Sequence, residues 1–177
     1  MLHGAKIGLR ARHEDDIPVL LDELHGDVVT RTRGDDRPWR PVAPGATAGN
    51  PFRVDDLPED VVCFSAVDLA GGELLGEAVL WGIDPHKRSA HLGLALRPAH
   101  RGKGLGADVV RVLCDYGFAV RGLNRLQVET LADNTPMIKA AERAGFTVEG
   151  TLRSSTWVYG GFADETILGL LAAEWTR

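Results

Sequence analysis

The stretch PAHRGKGLGAD, from Pro98 to Asp108, sets two basic residues among three glycines directly before an apolar run. Glycines let a backbone approach a ligand closely. The free N–H groups and the dipole at a helix N-terminus favour phosphate. The stretch therefore predicts an anion-binding turn between a strand and a helix, and two classes of nucleotide-containing ligand fit it.

The first class is a dinucleotide. GKGLGA, residues 102–107, fits the GxGxxA fingerprint, and Glu129 lies near the end of the next strand, where a ribose-binding acid is expected. However, Pro98, Ala99, His100 and Arg101 intervene before the fingerprint, which should begin directly at the end of the strand, and few βα units follow it. A Rossmann oxidoreductase is therefore disfavoured. Comparing the thermal stabilisation by NAD(P) with that by a ligand of the second class tests this alternative. A P-loop is excluded, because no GKS or GKT sequence follows at the required spacing.

The surrounding chain predicts an α+β fold. Alternating or apolar runs indicate strands, and stripes at helical spacing indicate helices. The strands are expected at 7–12, 61–69, 74–83, 90–98, 124–132, 146–153, 155–161 and 164–172, and the helices at 13–27, 105–122 and 133–145. A long irregular loop joins Thr30 to Pro58 and is a candidate for substrate contacts. The order predicts a three-layer fold with one mixed, mostly antiparallel sheet of about seven strands flanked by helices, in a single domain over residues 1–177.

Charge and composition narrow the classes of function. The net charge of −5 argues against direct binding of nucleic acid, which needs a basic surface. No apolar run is long enough for a membrane span, and the N-terminus has no secretory pattern, so a cytoplasmic protein is expected. Cys63 and Cys114 form no CxxC pair, and no HxxxH or HExxH spacing occurs, so neither a disulfide nor a metal site is expected.

Three segments together resemble the GNAT superfamily of N-acetyltransferases, RimJ/RimL type. RGKGLG matches R-x-x-G-x-G, with Arg101, Gly104 and Gly106 in register. NTPMIKAAERAGF, residues 134–146, resembles the helix beside the coenzyme, and the C-terminal run from VEGTLR to AAEW resembles the tail hairpin. The resemblance implies acetyl-CoA as co-substrate and a primary amine as acceptor, either a ribosomal-protein N-terminus or a small molecule. A homodimer stays open.

The resemblance also implies where the coenzyme binds. The pantetheine arm pairs with the strand before the loop, around Leu94 and Leu96, where Gly93 would permit a bulge. Asn134 contacts the coenzyme from its helix or acts only as an N-cap. The pyrophosphate lies on the loop residues, namely Arg101, Gly102, Lys103, Gly104, Leu105 and Gly106.

The catalytic residues are less clearly marked. Glu129 is the first candidate for the general base and His91 the second. The positions at which many relatives carry an acidic donor, a tyrosine or a serine, are Ala141 and Met137 here. Tyr159 or Ser154 from the tail hairpin is the substitute, or the leaving thiolate takes its proton from water.

Two further alternatives follow from these departures. The protein transfers a larger acyl group such as succinyl, or it binds acyl-CoA without catalysis. The tryptophans Trp39, Trp81 and Trp157 are unassigned candidates for an acceptor cleft, and Asp164 is interpreted as structural.

Overall fold

The computed structural model describes residues 1–35, 37–43, 45–46, 49–55 and 57–176. Eight strands form one sheet in the order β1-β2-β3-β4-β5-β6-β8-β7, and every neighbouring pair is antiparallel except β5–β6. The strands are β1 Leu2–His3, β2 Ile7–Ala11, β3 Val62–Asp68, β4 Leu74–Asp84, β5 Ser89–Leu96, β6 Arg125–Leu131, β7 Thr147–Val158 and β8 Gly161–Leu171.

The helices connect the strands and lie on both faces of the sheet. Helix α1, Asp16–Leu20, continues into a π-helical turn at Leu21–His25, and α3, Leu105–Asp115, continues into another at Tyr116–Val120. The remaining elements are α2 Val28–Thr32, α4 Thr135–Arg143 and a 3₁₀ turn at Pro98–His100.

Strand alternation divides the apolar side chains between two cores. The larger core joins α3 and α4 to one face of the sheet, and its fully buried members include Leu9, Leu80, Leu126 and Leu168. A smaller cluster under α1 contains Leu20, Leu24 and Phe52. The face that carries α1 is therefore the one with fewer apolar and more polar side chains.

The predicted fold class is confirmed, while some boundaries differ. The last two short strands before the C-terminal one form a single strand, β7, whose register against β8 shifts between Leu152 and Thr156. Ser154, with φ of +49°, lies in that irregularity. Helix α4 begins at Thr135, two residues later than predicted, with Asn134 as its N-cap. The single domain over residues 1–177 stays a prediction.

A buried carboxylate anchors α1 to the sheet. Asp16 accepts two hydrogen bonds from the Arg10 guanidinium, at 2.6 and 2.8 Å, and one from the Ser65 hydroxyl at 2.7 Å. The His13 N–H donates a further bond at 2.9 Å. Burial alone would raise the pKa of Asp16, but the bonds from Arg10, His13 and Ser65 outweigh it and hold the pKa well below its ordinary value.

We expect Asp16→Asn to lower the free energy of unfolding by about 3 kcal/mol at pH 7, because it breaks a buried ion pair. The depressed pKa means that the carboxylate stabilises the fold above its unfolded pKa of about 4, and that this stability is lost as the pH falls below it. Urea denaturation at pH 7 and during acid titration measures both effects.

Asp15→Asn is the matched control, because the Asp15 carboxylate is next to Asp16 in the chain but is exposed. It should change the free energy of unfolding by no more than about 0.5 kcal/mol. An Asp16→Asn protein as stable as the control at pH 7 would contradict the anchoring role.

Candidate functional site

A wedge-shaped cleft opens where β5 and β6 separate. The two strands pair in parallel at only three positions, Ser89 with Arg125, Ala90 with Leu126 and His91 with Gln127. Beyond these, β5 stays paired with β4 as far as Leu96, and β6 stays paired with β8 as far as Leu131. The cleft therefore has a closed end at His91 and an open end beside the loop that precedes α3.

Backbone groups of β5 line one side of the cleft. The Arg97 N–H donates to the Leu75 carbonyl of β4 at 2.9 Å. Since N–H groups along a strand alternate in direction, those of Leu94 and Leu96 face β6, beyond the last β5–β6 pair. This edge offers donors to an extended ligand, as the sequence-based assignment of Leu94 and Leu96 requires.

The glycine loop at the open end has the geometry of an anion cradle. Gly102 and Gly104 have φ of +74° and +76°, and a Cβ at either position would meet no atom within 4 Å. Gly104 directly precedes Leu105, the first residue of α3, and no described side chain caps the N–H groups there. The first N–H groups of a helix have no intrahelical partner, so those at the start of α3 are available to an anion.

The other loop residues differ in their surroundings. The exposed Arg101 donates from Nε to the Leu96 carbonyl at 2.9 Å, which ties the loop to the end of β5. Lys103 is exposed. A Cβ at Gly106 would lie 3.7 Å from the Ala140 Cβ, an ordinary packing distance, so Gly106 faces α4 rather than the open space beside Gly104.

The closed end brings together the two candidate bases. His91 Nδ1 lies 3.4 Å from Glu129 Oε1, and both side chains are about one third exposed (34% and 31%). Gln127 donates from Nε2 to the same Glu129 oxygen at 2.6 Å. From the sequence, His91 and Glu129 are alternative candidates for the base. The parallel pairing of β5 with β6 makes their side chains neighbours.

Trp81 covers His91 from β4. Their rings stack with centroids 5.6 Å apart and planes 25° apart. A Cβ on Gly93 would lie 3.0 Å from the Trp81 ring. The predicted bulge at Gly93 is wrong, because Gly93 keeps regular register with Val79 and instead leaves room for this ring.

Asn134 is engaged within the chain. Its side-chain oxygen accepts the Met137 N–H at 3.4 Å, and its amide donates to Thr130 Oγ1 at 2.9 Å. The N-cap role is therefore present, and its position after β6 places the α4 N-terminus beside the open end of the cleft.

The two candidate proton donors of the tail hairpin, Tyr159 and Ser154, lie away from the closed end of the cleft. Glu129 is opposite Ile167 on β8, while Tyr159 lies in the hairpin turn, 64% exposed and about 20 Å further along the strands. Within this chain Tyr159 and Glu129 are not brought together. Asp164 accepts the Ser154 N–H at 2.8 Å and so holds the irregularity in β7.

Helix α2 links both sides of the open end. Arg33, just after α2, pairs with Asp133 at 2.6 Å, beyond the end of β6. At the other end of α2, the pKa of Asp27 is lowered, chiefly by a hydrogen bond from Thr30 and to a smaller degree by the charge of Arg101. The start of the predicted substrate loop thus lies near the cleft, as a helix.

Described residues of that loop line a separate cavity of about 910 Å³ together with the first helix. Ile17, Leu21 and His25 line it from the first helix, and Trp39 lines it from the loop. None of its described lining residues belongs to β5 or β6. Trp39 is consequently a wall of this cavity, and Trp157 lies exposed on the hairpin, packed edge-on against Phe162.

Among the described residues, no group of three His, Cys, Asp or Glu side chains is placed to hold a metal ion. No helix of those residues is long and apolar enough to cross a membrane. Cys63 and Cys114 are free thiols, and burial raises the pKa of both.

Comparison with known proteins gives one family. A sequence model described as an acetyltransferase (GNAT) domain matches residues 6–147. An uncharacterized N-acetyltransferase, p20 of Bacillus licheniformis, is 33% identical over 112 residues, 63% of this chain and 63% of that protein. The ribosomal-protein-serine acetyltransferase of Escherichia coli is 26% identical over 92 residues, 52% of this chain and 51% of that protein. The chain thus spans less than two thirds of either relative.

A solved structure shares the fold over nearly the whole length. The spermidine N-acetyltransferase from Vibrio cholerae, in complex with CoA and spermine, superimposes with a TM-score of 0.79. The two are 19% identical, over 95% of this chain and 96% of that chain.

Proposed function

Because the chain belongs to the GNAT acetyltransferase family, we propose that it transfers an acetyl group from acetyl-CoA directly to a primary amine. One observation carries this proposal: the cleft between β5 and β6 has an anion cradle at its open end and Glu129 with His91 at its closed end. A ligand with a pyrophosphate and a long arm ending in a thioester fits that order of groups.

The coenzyme's two recognition elements have separate partners in this proposal. The free N–H groups around Gly104 and Leu105 bind the pyrophosphate, with Arg101 and Lys103 adding positive charge. The N–H groups of Leu94 and Leu96 bind the amide-containing arm along the cleft edge. The Asn134 side chain is already used as a cap, so any contact it makes with the coenzyme is additional.

The residues at the closed end then act on the amine. An amine near pKa 8–10 is mostly protonated at pH 7, and only its neutral form attacks a thioester. Glu129 accepts the proton, directly or through water, and His91 beside it is the second base. A β5 N–H donates to the carbonyl oxygen as negative charge develops there.

The departing thiolate has no side-chain acid at the usual positions, since Ala141 is fully buried and Met137 is apolar. Its proton therefore comes from water in this proposal, because Tyr159 in the hairpin turn is not brought to the closed end of the cleft. The lack of a tyrosine at Ala141 and of a serine at Met137 also supports the second candidate function, an acyl-CoA-binding protein that does not catalyse transfer.

Within the GNAT family, we propose that the protein is a RimJ/RimL-type enzyme. Two acceptor classes are supported by relatives: one relative acts on ribosomal proteins, and a protein with the same fold acts on spermidine. We propose an acceptor with a primary amine of one of these kinds, and acetyl rather than succinyl as the transferred group.

The proposed function is tested by thiol release from acetyl-CoA with a panel of amines, including spermidine and peptides with the N-termini of ribosomal proteins. Mass spectrometry identifies the acetylated product. Turnover with any amine supports an acetyltransferase. Binding of acetyl-CoA without turnover on any amine would favour the non-catalytic alternative, and thermal stabilisation by NAD(P) alone would overturn the family-based assignment of the ligand.

We expect Gly104→Val to weaken acetyl-CoA binding at least 100-fold, because a branched side chain fills the open cradle and is strained at φ of +76°. Calorimetric titration measures the affinity. Gly122→Val is the matched control, since Gly122 also has positive φ (+64°) and open space around its Cβ but lies after α3, away from the cradle. Equal affinities in the two variants would contradict the loop assignment.

We expect Glu129→Gln to lower kcat about 100-fold, because general-base catalysis contributes roughly 10²–10⁴. The loss should be greatest below the pKa of the amine, where proton removal is needed most. The pH–rate profile measures it, with acetyl-CoA affinity as the control. An unchanged profile would remove Glu129 as the base and leave His91 as the candidate.

A further inference from the structure

A row of side chains crosses the sheet from Glu129 away from the cleft. Gln127 donates from Nε2 to Glu129 at 2.6 Å, and Arg125 donates from Nη2 to Gln127 Oε1 at 2.9 Å. Arg125 also binds the Glu149 carboxylate through both of its terminal nitrogens, at 2.5 and 2.7 Å. The row thus connects a carboxylate on β7 to the candidate base on β6.

The chemistry of the groups allows only one direction for these bonds. A guanidinium only donates and a carboxylate only accepts. Gln127 lies between them, so its carbonyl must face Arg125 and its amide nitrogen must face Glu129. The Arg125–Glu149 pair therefore determines which end of the Gln127 amide is presented to Glu129.

Gly169 allows this row to cross the intervening strand. It lies on β8, opposite Gln127 on one side and Thr147 on the other. A Cβ at this position would lie 2.3 Å from Glu149 Oε1 and 2.6 Å from Arg125 Nη1. Any other residue at position 169 would displace the ion pair that lies over it.

We propose that Gln127 is a positioning residue that holds Glu129 Oε1 beside His91, with its own amide oriented by the Arg125–Glu149 pair. In this arrangement Glu129 Oε2 accepts the proton of the amine. Among the described residues no hydrogen bond to Oε2 is present, and the side chain is accessible to solvent. The inference rests on the proposed function, because it assigns Glu129 as the base.

The surroundings of Glu129 make Gln127 its hydrogen-bond donor on β6. His91 faces Glu129 from β5, Gln127 and Arg125 extend from the same strand, and the residue opposite on β8 is the apolar Ile167. Removing the Gln127 donor should therefore release Glu129 Oε1 from its position beside His91 and slow turnover, without changing the groups that bind acetyl-CoA.

The main test is Gln127→Leu, which keeps the volume and removes the donor. We expect kcat to fall about tenfold while the KM for acetyl-CoA stays within twofold. The melting temperature confirms that the variant is folded. A folded variant with wild-type kcat would overturn the proposal.

Gly169→Ala tests the support behind Gln127 without touching the cleft. Its Cβ should displace the Arg125–Glu149 pair and reproduce the loss of kcat in weaker form. Gly150→Ala is the matched control on β7, because a Cβ there meets nothing within 4 Å. Identical kcat values for Gly169→Ala and Gly150→Ala would show that the ion pair does not orient Gln127, which would overturn that part of the proposal.

A double-mutant cycle separates this inference from the proposed function. Melting temperatures of Gln127→Leu, Glu129→Gln and the double variant need no turnover. Non-additive shifts support the contact between Gln127 and Glu129, and additive shifts would overturn it. If the wild-type protein acetylates no amine, the function fails even though the cycle shows coupling.

Discussion

The short parallel pairing of β5 with β6 is the constraint on which the site depends. Each strand keeps its antiparallel partner on the outer side, β4 or β8, so the two separate without disrupting the sheet. The separation leaves backbone donors of Leu94 and Leu96 at an inner edge, where buried polar groups need a partner. In the proposed function a ligand with amide groups supplies that partner, so the strand separation that creates the cleft also leaves donors for such a ligand.

Glycines serve this site in two distinct ways. Gly102 and Gly104 adopt left-handed backbone conformations around an open space, which suits the close approach of an anion. Gly93 and Gly169 are different, because they lie in strands and make room for side chains from neighbouring strands, the Trp81 ring and the Arg125–Glu149 pair. The second use lets long side chains lie flat on the sheet, and it gives the polar face a continuous row of contacts from β4 to β7.

The fold class, the glycine loop and the N-cap at Asn134 were predictable because they depend on local signals. Strand alternation, helical spacing, backbone freedom and capping each involve residues a few positions apart. The predicted bulge at Gly93 failed because the reason for that glycine is the Trp81 ring, twelve positions earlier in the chain, which only the β4–β5 register brings over it. His91 and Glu129 stay candidate bases, and nothing local in the sequence indicated that their side chains are neighbours.

The sequence by itself determined the order of the elements, the glycine-rich turn at Gly102 to Gly106 and the types of side chain available at the cleft. The tertiary structure alone decided the contacts between them: His91 against Glu129, Arg125 against Glu149 across Gly169, and Asp16 against Ser65. The physical reason is that each of these pairs joins different elements. Their distances follow from strand order and register, which result from packing of the whole chain and leave no mark at either residue.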